Sequence, residues 1–177
     1  VDVTPGDYDS PAFSLGGGGI ALSPDGKEIC FTSNREAPGK RSWTTNKDLF
    51  VVSLKELTKK KGASSSSSHT SLEASPLNLT AANKAYDGDP AYSPDGKYLA
   101  FVRQEKPGYE SDRPRLAVYE RATGKTRILT SAVDWWVVDY RWSRDSRSLI
   151  AQGAVKGRFP LFKIDVDTGA IKKLPLP

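Results

Sequence analysis

The chain has 177 residues, 26 Lys and Arg against 21 Asp and Glu, one histidine, one cysteine and no methionine. That length holds one domain with one sizeable core, and no apolar run approaches the roughly 18 residues of a membrane span. The net charge of +5 is interspersed with acids, and the lone cysteine and histidine leave no internal disulfide and no zinc set; nucleic-acid and metal-site classes are set aside on those grounds.

The absence of methionine even at the start predicts a piece of a longer polypeptide. Along the chain, "GGGGIA" (residues 16–21) formally matches a dinucleotide fingerprint. It runs into a strand and a turn rather than a helix, so it reads as a tight backbone path. "SPDGK" follows at residues 23–27, then the apolar run "EICFTS", the loop "REAPGKRSWTTN" and the run "DLFVVSL". Cys30 lies within the first run and reads as a buried, inert thiol. Residues 59–76, "KKKGASSSSSHTSLEASP", have the composition of a flexible insertion. His69 lies inside it, where no general base can be held.

The same order then repeats. "SPDGK" returns at residues 93–97 and, degraded, as "SRDSR" at residues 143–147. "YLAFVR" and "SLIAQG" follow these turns, then "RLAVYER" and "PLFKIDV". The phrases "LNLT", "TRILT" and "IKKLP" close the three units. Proline, aspartate and glycine in this order predict a type I turn and bulge between antiparallel strands. Ser146 takes the glycine position in the third copy, so it is expected in a strained left-handed conformation.

Four strands per unit, with nearly continuous apolar middle strands, predict the blades of a β-propeller. The expected fold is all-β, an incomplete β-propeller of three four-stranded antiparallel blades. Blade one covers residues 16–80, with the Ser-rich insertion at 58–76. Blade two covers 86–130 and blade three 137–175. Three blades do not close a ring, so further blades are expected as partners.

The strand order puts the "SPDG" turns on one rim and the loops between middle strands on the other. The second rim carries "EKPGYESDR", with Tyr109, Glu110, Asp112 and Arg113 in five residues. Two readings stand. The carboxylates hold an ammonium group and the guanidinium a carboxylate or carbonyl, or Arg113 pairs with Glu110 or Asp112 to stiffen the loop. Tyr109 either packs the loop or touches a ligand. Of adjacent Trp135 and Trp136, one is expected inside and one outside. No G-x-S-x-G occurs, so no catalytic residue, metal or cofactor is assigned, and the segment alone is expected to hydrolyse nothing.

The phrases "TPGDYDSPAFSLGG", "WTTNKDLFVV", "DGDPAYSPDGKYLAFVRQEKPGYESDRPRL" and "VYERATGKTRILT" together resemble the N-terminal propeller of prolyl oligopeptidase-family serine peptidases. The similar branch is that of dipeptidyl and acylaminoacyl peptidases. The resemblance implies a separate α/β-hydrolase domain with a Ser-Asp-His triad and a propeller that restricts substrates to short peptides. In dipeptidyl peptidases, propeller carboxylates capture the free amino terminus, which implies Glu110 and Asp112 as candidates. Pro114 departs from the family pattern. The alternative is a TolB-like scaffold for protein partners, since "SPDGK" occurs there too.

Overall fold

The structure, a computed structural model, describes Tyr8 and residues 19–54 and 75–175. The serine tract, His69 and most of the glycine run lie outside the described residues.

Among the described residues, twelve strands form three four-stranded antiparallel sheets, each meandering in chain order. Blade one holds β1 (Ile20–Leu22), β2 (Glu28–Ser33), β3 (Asp48–Ser53) and β4 (Leu77–Asn78). Blade two holds β5 (Asp87–Tyr92), β6 (Tyr98–Arg103), β7 (Arg115–Glu120) and β8 (Lys125–Ile128). Blade three holds β9 (Trp136–Trp142), β10 (Ser148–Ala154), β11 (Leu161–Asp165) and β12 (Ile171–Lys173). A short helical turn, α1 (Pro38–Arg41), sits in the loop between β2 and β3. No helix among the described residues is long and apolar enough to cross a membrane. The chain is an incomplete propeller.

The repeated turn explains its own composition. Each serine hydroxyl donates to the aspartate two residues on, at 2.7 Å for Ser23–Asp25 and 2.6 Å for Ser93–Asp95 and Ser143–Asp145. The aspartate then accepts the N–H of Lys27, Lys97 or Arg147. The serine oxygen accepts the first N–H of the next strand, from Glu28, Tyr98 or Ser148. The last turn position needs positive φ, and Gly26 and Gly96 supply it at 66° and 71°. Ser146 adopts 61°, the strained geometry that the third copy predicts.

Packing of the blades makes two seams. Leu99, Phe101 and Ala117 of blade two meet Cys30 and Leu49 of blade one. The opposite face of blade two, with Ala100, Val102, Leu116 and Val118, meets Tyr140, Leu149, Ala151, Phe162 and Ile164 of blade three. Cys30 is fully buried, and burial pushes its thiol well above the ordinary range. It is inert packing. Trp135 stacks on Phe162 at 4.4 Å between ring centroids. A side chain on Gly153 would collide with both rings, at 2.6 and 2.9 Å. Trp136 points the other way and is 47% exposed, so one ring is in and one out.

Both innermost strands of blades two and three are bulged. In β5, Gly88 pairs with Val102 and Ala91 with Ala100, which leaves Asp89 and Pro90 opposite one residue. In β9, Val137 pairs with Gly153 and Asp139 with Gln152, which leaves Val138 unpaired. Asp89 has φ 54°. The Tyr140 hydroxyl donates to the carbonyls of Asp89 and Ala100, pinning the β5 bulge from the neighbouring blade.

Candidate functional site

The loop between β6 and β7, residues 104–114, folds around two buried polar side chains. Gln104 lies beneath it and donates through Nε2 to the carbonyls of Glu110 (2.9 Å) and Asp112 (2.6 Å). Asp112 is 4% exposed. Its Oδ2 accepts the backbone N–H of Glu105 (2.6 Å) and Lys106 (3.0 Å) and a bond from Arg115 Nη1 (3.2 Å). Burial disfavours the Asp112 charge, but these donors outweigh it and hold the carboxyl below its usual range. Arg115 completes the brace with Glu105 at 3.0 Å.

The bracing arginine is therefore Arg115. Arg113 pairs with neither Glu110 nor Asp112. Its guanidinium donates to the carbonyls of Val133 and Ser131. It ties the loop to the connection between β8 and β9. Tyr109 does not pack the loop down. Its ring is 53% exposed, with the Lys106 ammonium 5.5 Å from its centroid. The loop's far side is tied to blade one, where Gly108 N–H donates to Thr45 Oγ1 at 2.9 Å.

Of the four candidates, Glu110 alone borders a cavity of about 590 Å³. Thr44, Thr45 and Lys47 line it from blade one, Gln104, Glu110 and Ser111 from blade two, and Trp136 from blade three. The Glu110 carboxylate has no hydrogen bond or ion pair among the described residues. The volume falls in the range of small-ligand sites. A free carboxylate, hydroxyls and an aromatic wall suit an ammonium group on a small polar ligand. No group of three or more metal-ligating side chains occurs among the described residues.

Sequence reasoning named Glu110 as a candidate and expected one of Trp135 and Trp136 to face outward. It missed Gln104 and Arg115. Nothing about an isolated "RQE" marks its glutamine as a buried brace.

No family model matches the chain. The chain is 30% identical over 155 residues to dipeptidyl-peptidase 5 of Porphyromonas gingivalis. The match takes in 88% of this chain and 20% of that protein. The chain is a propeller segment related to the dipeptidyl peptidases. It spans about a fifth of the length of this relative. Among solved structures, the segment aligns with the acylaminoacyl peptidase of Pyrococcus horikoshii at a TM-score of 0.55 and 12% identity, over 89% of this chain and 24% of that one. It also aligns with TolB from Acinetobacter baumannii at 0.58 and 19% identity, over 92% of this chain and 33% of that one. At these identities the structural likeness speaks to the fold.

Proposed function

We propose that this segment gates substrates for a serine exopeptidase and that Glu110 anchors the free amino terminus of a short peptide. The α/β-hydrolase domain that supplies the nucleophile and the blades that close the ring are its covalent partners. The segment itself contributes positioning and exclusion, with no chemistry on the scissile bond. The observation that carries the reading is the unpartnered Glu110 carboxylate at a cavity built by all three blades. The relationship to dipeptidyl-peptidase 5 supplies the substrate class. Asp112 and Arg113 serve the loop's shape, since their polar atoms are turned to internal partners.

The first test uses the whole enzyme that contains the segment. Glu110→Gln keeps the shape and removes the charge. It lowers kcat/KM for free-amine substrates by about tenfold, the worth of roughly 1.5 kcal/mol for one charge-assisted contact. Amino-blocked substrates are turned over unchanged. Asp112→Asn loses activity on both substrate types in step with lost stability. Equal losses on both types from Glu110→Gln retire the carboxylate as an amine ligand.

A further inference from the structure

The turn between β10 and β11 is built against the preference of its sequence. Val155 and Arg158 exchange backbone hydrogen bonds at 2.8 and 2.9 Å, so Lys156 and Gly157 alone close the hairpin. Both have positive φ, 48° and 74°. A two-residue turn of this kind favours asparagine or glycine at its first position, and a long side chain there is strained. The turn nevertheless displays a lysine.

Beside this turn lies a cavity of about 890 Å³ that shares no residue with the Glu110 cavity. Lys156, Arg158 and Lys173 bring three cations to it, and no acidic residue lines it. None of the three has a side-chain hydrogen bond or ion pair among the described residues. By contrast, Arg115 and Arg121 pair with glutamates, and Arg127 donates to the Val166 carbonyl. The rest of the lining is apolar, with Val155, Leu174 and a Phe159 ring that is 56% exposed. Three like charges around one recess repel one another, and an anion between them relieves that repulsion. The exposed ring and the leucine gain free energy when an apolar group covers them.

We infer that this cavity of blade three binds a small organic acid, a carboxylate carried on an aromatic or branched aliphatic body. The volume falls in the range of small-ligand sites. Arg158 offers the planar fork that matches a carboxylate, and Lys156 and Lys173 add point charges. Phe159 provides a face for the body of the ligand. A hydrophilic anion leaves the apolar wall wet, and a neutral analogue leaves the cations without a partner. The strain at Lys156 keeps a charge at the mouth of the cavity, where a relaxed asparagine turn has none.

The test titrates the 177-residue chain by calorimetry with naphthoate, its neutral analogue naphthamide and inorganic phosphate. Naphthoate binds about tenfold tighter than naphthamide, the effect of one charge-assisted contact. It also binds about tenfold tighter than phosphate, which has no apolar body to cover the ring. Arg158→Gln and Lys173→Gln each weaken naphthoate by about fivefold and leave naphthamide unchanged. Phe159→Ala weakens both naphthalene ligands alike. Lys156→Asn separates the turn from the site. Asparagine suits the positive φ, so this variant melts at a higher temperature, yet it binds naphthoate more weakly. All four side chains are exposed, so none of these changes opens a void in the core. Equal affinity for naphthoate and naphthamide overturns the inference, and so does phosphate bound as tightly as naphthoate. Naphthoate binding untouched by both glutamine variants, or no naphthoate binding at all, overturns it as well.

Discussion

Between blades two and three the contact is apolar and continuous. Leu116, Val118, Leu149, Phe162 and Ile164 interlock there, and the hydrogen bonds that cross the seam serve the backbone. Tyr140 donates to Asp89 and Ala100, and Trp142 Nε1 donates to Ala91 at 3.0 Å. Between blades one and two the apolar patch is smaller, and charged groups share the seam. Glu28 accepts from Arg121 at 2.6 Å and from the Tyr92 hydroxyl at 2.9 Å. Asp48 accepts from Asn78 and Thr80. Asp87 is buried beside them, accepting from Asn83 at 3.0 Å, while its own N–H donates to Lys47. Its Oδ1 has no hydrogen-bond partner among the described residues. The lesson is one of susceptibility. An apolar seam answers to volume, and a polar seam answers to protons.

The sharpest test of the apolar seam is Leu149→Ala. Leu149 is fully buried, and its loss removes transfer free energy and leaves a void. The expected destabilisation is about 2–5 kcal/mol. Urea unfolding at pH 5 and pH 8 returns the same loss at both. A loss that changes with pH breaks the contrast.

The polar seam carries the second prediction. Burial raises the Asp87 carboxyl from 3.8 to about 7, against the Asn83 bond and the Arg103 charge. Asp48 raises it further. The unfolded chain ionises this group near 4, so between pH 4 and pH 7 the unfolded state gives up its proton first. Stability therefore falls across that window and levels off above pH 7, by a few kcal/mol at most. The carboxyls held low, such as Asp112 and Asp145, work in the opposite sense below pH 4. Asp87→Asn removes the slope between pH 5 and pH 7. An unchanged slope in this variant places the titrating group elsewhere.

The smallest effect belongs to Ser146. Its left-handed backbone costs about 1 kcal/mol, while its Oγ accepts the Asp95 N–H of blade two at 3.0 Å. Ser146→Gly relieves the first and loses the second, for a net change within about 0.5 kcal/mol. Ser146→Ala keeps the strain and loses the bond, so thermal unfolding finds it less stable than the glycine variant. Equal stability of the two variants shows that the left-handed backbone at this position carries no strain.

Much of this architecture was readable from repetition. "SPDGK" carries its turn in its own side chains, and "YLAFVR" and "RLAVYE" are buried strands of the predicted extent. Local chemistry made these elements visible. The site was readable only in part, because its partners are distant in sequence. Arg115 and Asp112 are near neighbours, yet which of two arginines turns inward is settled by distant partners, Arg113 reaching the carbonyls of Val133 and Ser131 while Arg115 reaches Asp112. Trp136 and Thr45 approach the same cavity from different blades. The bulges left no mark beyond "DGDP" and an ordinary "WVVD". Register slips of that kind depend on pairing partners rather than on local composition.

The Glu110 cavity draws its wall from all three blades. A molecule lodged there behaves as a rivet through two joints at once. Because it binds only the assembled walls, its binding free energy is added to the cohesion of the blades. At concentrations well above its dissociation constant, every further tenfold adds about 1.4 kcal/mol to resistance against the blades parting. Occupancy is then a mechanical variable: the filled segment is stiffer than the empty one. The polar joint, which loosens as protons leave Asp87, is the one such a rivet reinforces most.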